Sequence, residues 1–79
     1  MEQQTFLRQL DELFELDAGT VSPADVLEGI DGWSSLTFLG LIALLDEEYG
    51  ITVSPATILA CNTVADLQAV VEKQQASRS

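Results

Sequence analysis

The side chains best placed for covalent chemistry in this sequence are the adjacent hydroxyls of Ser34 and Ser35. They follow Asp31-Gly32-Trp33 and lead directly into the apolar run from Thr37 to Tyr49. Gly32 can close the preceding loop, and Ser is among the best N-cap residues because its oxygen accepts from an orphan backbone N–H. A helix is therefore predicted to begin here, with Ser34 as its cap and Ser35 in its first turn. Free N–H groups and the positive end of the helix dipole meet at such a point, so a phosphodiester attached there would be electrostatically favoured. Spacing alone leaves two readings of Ser35 open, an ordinary early helix residue or a point of modification.

The remaining reactive groups are few. The chain has no His and a single Cys, which excludes Ser–His and Cys–His catalysis, imidazole metal sites and an internal disulfide. No catalytic residue and no metal site are predicted. Cys61 has no cation or base near it in sequence and reads as a small buried hydrophobe rather than a reactive thiol. Trp33 reads as a packed aromatic that fixes the approach to the helix, with contact to a bound group as the second reading. Asp46, Glu47 and Glu48 oppose the helix dipole at the C-terminal end, at a cost of about 0.3 kcal/mol each when exposed. They form either a solvated acidic face or a docking surface for Lys and Arg of a partner.

Helical periodicity supplies the elements that must hold these groups. From Ser35, at about 100° per residue, Phe38, Leu41, Ile42, Leu45 and Tyr49 fall on one core-facing stripe, and Gly50 supplies the stop. The opposite stripe of Leu36, Gly40, Ala43 and Glu47 is mostly small or apolar, which invites a partner. Over 2–16, Phe6, Leu7, Leu10, Leu13 and Phe14 form a first apolar stripe, with Gln4, Arg8, Asp11, Glu12 and Glu15 on the outer face. The passage 17–33 is a long loop with at most one short helical turn from Ser22-Pro23 through Leu27, tied to the core by Val21, Val26, Leu27 and Ile30. Ser54-Pro55 starts a short third helix over 55–60. Thr63 and Asp66 have the spacing of a capping box before Val64, Leu67, Val70 and Val71, which places a last helix over 63–74 and a frayed tail at 75–79. The fold expected is one all-α domain over 1–79, a small four-helix bundle with a long loop between helices 1 and 2 and a short third helix.

Composition narrows the function further. Seventy-nine residues, 47% of them hydrophobic, suffice for one modest packed core but not for a deep cleft with its own substrate pocket. Thirteen acids against three bases give a net charge of −10, which repels nucleic acid and anionic lipid and favours basic protein surfaces. No apolar run reaches the length of about 18 residues that a membrane span needs. The polar, acidic start Met1-Glu2-Gln3-Gln4 lacks the features of a secretion signal. A monomer in the reducing cytoplasm is expected.

The segments Gly32-Trp33-Ser34-Ser35-Leu36, Asp46-Glu47-Glu48-Tyr49-Gly50-Ile51 and Asn62-Thr63-Val64-Ala65-Asp66-Leu67, in this order and spacing, resemble an acyl or peptidyl carrier protein across nearly the whole chain. The resemblance implies that Ser35 accepts 4′-phosphopantetheine from coenzyme A and that the arm's thiol carries acyl or aminoacyl groups as thioesters between enzymes. It implies a non-catalytic role, with a phosphopantetheinyl transferase and basic loading and transfer enzymes as partners. It also makes Leu36, Gly40, Ala43 and Glu47 the recognition helix, with Trp33, Ser34 and Thr37 completing the docking surface. Ser34 stands where the family shows Asp, and Thr37 and Gly40 where fatty-acid carriers usually show acids. The departures at Thr37 and Gly40 suggest a carrier of a polyketide or nonribosomal-peptide pathway. The alternative is an unmodified helical interaction module, for which Ser34 is the main support. A hydrolase using Ser35 lacks both a His base and a glycine-flanked nucleophile elbow.

Overall fold

The structure is a computed structural model that describes residues 2–78. Four α-helices follow in chain order, α1 Gln3–Leu13, α2 Ser35–Tyr49, α3 Pro55–Leu59 and α4 Val64–Arg78, with a 3₁₀ turn at Leu27–Gly29 between α1 and α2. α2 packs against both α1 and α4. This is the all-α bundle with a long first loop and a short third helix that periodicity predicts.

The apolar stripes converge on one core. Phe6, Leu10 and Phe14 bury with Leu41 and Leu45 of α2, Ile58 of α3 and Val64, Leu67 and Val71 of α4. Ile51 and Val53 seal the α2–α3 connection. The helix punctuation works as its chemistry requires. Gly50 takes φ 66° to end α2 and donates to the Asp46 carbonyl, a left-handed cap that costs glycine least. Ser54 caps α3 and Pro55 opens it. At α4, Asp66 accepts from the N–H groups of Asn62 and Thr63 at 3.0 and 3.1 Å while Thr63 Oγ1 accepts from the Asp66 N–H.

Several expectations are corrected. α1 stops at Leu13 rather than near 16, because Glu15 turns left-handed at φ 57° and Leu16 donates back to the Asp11 carbonyl at 2.8 Å. Asp11 is not on the outer face. It is 2% exposed, and its carboxylate accepts from the N–H groups of Val21 at 2.8 Å and Gly19 at 2.9 Å. One internal side chain thus folds the start of the long loop onto α1.

Ser22 caps a single turn rather than a helix: its carbonyl accepts the Asp25 N–H at 3.1 Å, its own N–H donates to the Asp25 carboxylate at 2.9 Å, and the 3₁₀ turn of this passage comes later, at Leu27–Gly29. The carbonyls of Pro23 and Asp25 instead receive the N–H groups of Ala65 and Val64, each at 2.9 Å, satisfying two orphan donors of α4. Val21, Leu27 and Ile30 tie the loop to the core as expected, but Val26 is 47% exposed. Its contribution is through the backbone, an isolated antiparallel bridge with Thr63. α4 continues to Arg78, beyond the expected end at 74. Gln75 reaches the Tyr49 carbonyl at 3.5 Å and Ser77 the Lys73 carbonyl at 3.0 Å. Ser79, the last residue of the expected frayed tail, lies outside the described residues.

Candidate functional site

The start of α2 separates the two serines into different roles. Ser34 is the N-cap, in extended backbone at φ −155° and ψ 173°. Its Oγ accepts from the Thr37 N–H at 3.2 Å, and its carbonyl accepts from Phe38 at 2.8 Å. Thr37 completes a capping box: its Oγ1 accepts from the Ser34 N–H at 2.8 Å and donates to the Gly32 carbonyl at 2.8 Å. Sequence reasoning missed this role, although a hydroxyl three residues beyond a Ser cap was its signal. Ser35, the first helical residue, is exposed. Its hydroxyl has no hydrogen-bond partner among the described residues, and the N–H groups of Ser35 and Leu36 have no acceptor within the helix.

The approach to Ser35 is rigid on one side. Gly32 takes φ +93°, and a Cβ built there would lie 3.0 Å from the Phe14 carbonyl oxygen, so a side chain is strained by the backbone and crowded by that oxygen. Trp33 is half-buried between Phe14, at 6.0 Å between ring centroids, and Phe38, at 5.8 Å with an edge-on angle of 72°. Its packed-aromatic reading is therefore the one its surroundings explain. No acid lies in the first turn of α2, so no side chain of that turn offsets the positive helix end.

A family model for a phosphopantetheine attachment site matches residues 4–71. The chain belongs to this family of carrier domains. No curated protein and no solved structure matches the chain. As a carrier domain, it is an attachment site for covalently bound 4′-phosphopantetheine, and the start of α2 fits such a group. It offers an exposed, unengaged hydroxyl beside two free N–H groups, with no carboxylate in the first turn to repel a phosphodiester. Carrier domains of this kind are in general non-catalytic and work with phosphopantetheinyl transferases and biosynthetic enzymes.

The carrier's other singled-out residues spread over distinct surroundings. Leu36 is 78% exposed, and Leu39, one turn on and not singled out by the sequence, is 62% exposed. Their spacing of three along α2 was the available signal. Gly40 faces α1, where an added Cβ would lie 2.9 Å from Leu13 Cδ1. With Ala43 and Glu47 it lines an open groove of about 290 Å³ between α1 and α2, edged by Glu12, Glu47 and Glu48. A hollow of about 510 Å³ lies under the first loop, bordered by Leu16, Val21, Ile30 and Asp31, and Ser35 does not line it.

Cys61, Tyr49 and Asp66 of the carrier serve the frame. Cys61 is half-buried and donates to the Thr57 carbonyl at 3.4 Å. Burial, reinforced by Asp66, pushes its thiol above the usual range, so thiolate is scarce at neutral pH. Tyr49 hydrogen-bonds Gln9 through its hydroxyl and meets Phe6 edge-on at 5.9 Å. Burial, then the nearby Glu48, raises its pKa. The backbone N–H groups of Thr63 and Asn62 hold the Asp66 carboxyl below the usual carboxylate range. Among the described residues, no helix is long and apolar enough to cross a membrane, and no cluster of His, Cys, Asp or Glu could hold a metal ion.

Proposed function

We propose that Ser35 is the attachment residue and that the chain is a carrier of acyl or aminoacyl thioesters in a polyketide or nonribosomal-peptide pathway. One observation carries the choice of Ser35: the cap consumes the Ser34 hydroxyl, whereas the adjacent Ser35 hydroxyl is exposed and unengaged. In the transfer, Ser35 Oγ bonds to the β-phosphorus of coenzyme A. The bond from that phosphorus to the bridging oxygen breaks, adenosine 3′,5′-bisphosphate leaves with that oxygen, and the serine proton passes to a base of the transferase. The attached arm supplies a terminal thiol for thioester carriage. The chain's own residues present the hydroxyl and place the N–H groups of Ser35 and Leu36 beside the new anion.

The pathway assignment rests on the less charged first two turns of α2, in which Thr37 and Gly40 stand where fatty-acid carriers usually show acids. Leu36 and Glu47 on exposed α2 positions, with a net charge of −10, favour partner enzymes with basic docking surfaces around an apolar contact. A cytoplasmic monomer is the corresponding state.

Intact-protein mass spectrometry after incubation with coenzyme A and a broad-specificity phosphopantetheinyl transferase tests the reading. The wild type is expected to gain one phosphopantetheine and Ser35→Ala none, with the helical circular dichroism of both unchanged. No addition with several transferases would favour the unmodified interaction module instead.

A further inference from the structure

We propose that Thr37 is a positioning residue for the modification of Ser35, acting through the backbone that the two share. The proposal rests on Ser35 being the attachment residue. Thr37 Oγ1 lies between the Ser34 N–H and the Gly32 carbonyl, 2.8 Å from each, and 3.2 Å from the Ser34 carbonyl oxygen. It therefore clasps the peptide groups on both sides of Trp33. The Thr37 N–H binds Ser34 Oγ, so the residue before the nucleophile is held at its N–H, its side chain and, through Phe38, its carbonyl.

Ser35 receives none of these bonds. Its Cα is nonetheless placed by them, because it lies in the planar peptide group of the Ser34 carbonyl that the Phe38 N–H holds at 2.8 Å. An in-line displacement at phosphorus is sensitive to such fixing, since a misplacement of about 1 Å can lower a rate by about a hundredfold. The Trp33 N–H is tied back to the Ile30 carbonyl at 3.0 Å and its ring packs between Phe14 and Phe38; the Thr37 hydroxyl adds the hydrogen bond that joins the Gly32 carbonyl to the first turn of α2.

The fold contains its own control. At α3, Ser54 and Thr57 repeat the Ser-x-x-Thr cap, with Thr57 N–H to Ser54 Oγ at 3.3 Å and the two hydroxyls 2.9 Å apart. Among the described residues Thr57 Oγ1 reaches the Ser54 hydroxyl but no backbone group. Loss of either threonine hydroxyl leaves the serine cap on the threonine N–H in place, but only the Thr37 hydroxyl bonds the backbone next to Ser35.

The experiment measures loading kinetics with coenzyme A and the transferase for full-length wild type, Thr37→Val, Thr37→Ala, Thr37→Ser and Thr57→Val, with amide exchange at Ser34 as a second readout. Thr37→Val is expected to lower kcat about tenfold with KM changed less than about twofold, and to speed exchange of the Ser34 amide. Thr37→Ala, which keeps helix propensity high, carries the same expectation should valine unfold the chain. Thr37→Ser should restore kcat, and Thr57→Val should leave it unchanged. Wild-type kcat in both Thr37→Val and Thr37→Ala, or an equal loss in Thr57→Val, would overturn the positioning role. Loading of Ser35→Ala would instead overturn the attachment reading on which it rests.

Discussion

The carboxylate of Asp11 accepts the backbone N–H of Val21 at 2.8 Å inside the bundle, and its second oxygen takes the N–H of Gly19. A side chain in the last turns of α1 thereby fixes the start of the loop that leads to Gly32 and Ser35. Asp11→Asn keeps the volume but turns an NH2 toward one of the two donors. We expect a loss of about 2 kcal/mol, since a buried donor left facing another donor forfeits its bond and its hydration. The urea midpoint should fall with the slope unchanged, and an unaltered midpoint would refute the role.

Backbone handedness at two positions should give changes of opposite sign. Glu15 holds φ 57° without being glycine, so Glu15→Gly should relieve strain faster than it adds unfolded-chain entropy, a net gain of about 0.5 kcal/mol. In a domain of this size that raises Tm by about 3 °C. Gly32→Ala puts a Cβ at φ +93° and 3.0 Å from the Phe14 carbonyl oxygen, and should cost at least about 1 kcal/mol. Calorimetry on the two variants checks both signs.

The cap of α4 should make stability depend on acid in one direction. The Asp66 carboxyl is held below its ordinary value by the Thr63 and Asn62 N–H groups. A depressed folded pKa means that its stabilisation is complete above the unfolded value near 3.8 and is lost as pH falls below it. Asp66→Asn should therefore be less stable than wild type at pH 7, and the gap should narrow below pH 3.8. A gap that stays constant with pH would show that the charge contributes nothing.

Much of the site was legible because it is local. A Ser before an apolar run, a Gly after it, and Thr63 three residues before Asp66 are capping signals that act within one turn, and Ser34, Gly50 and the Asp66 box occupy those positions. The Asp11 error came from the same local logic. A charged residue on the polar side of an amphipathic stripe reads as solvated, and nothing in the adjacent sequence says that a loop returning eight to ten residues later will bring two N–H donors to it.

Sequence alone therefore determined the number and order of the helices, the apolar stripes that join them and the pair of serines at the head of α2, since each depends on periodicity or on bonds spanning a few residues, while the family followed from the resemblance of three motif segments. Tertiary structure decided which groups those elements consume. It withdrew Asp11 into the interior and set Gly40 against Leu13. The Pro23 and Asp25 carbonyls went to α4, and the Ser35 hydroxyl stayed free beside an engaged Ser34. The physical reason is that a buried donor or acceptor must find a partner wherever the fold brings one, and only the packed chain specifies where that is.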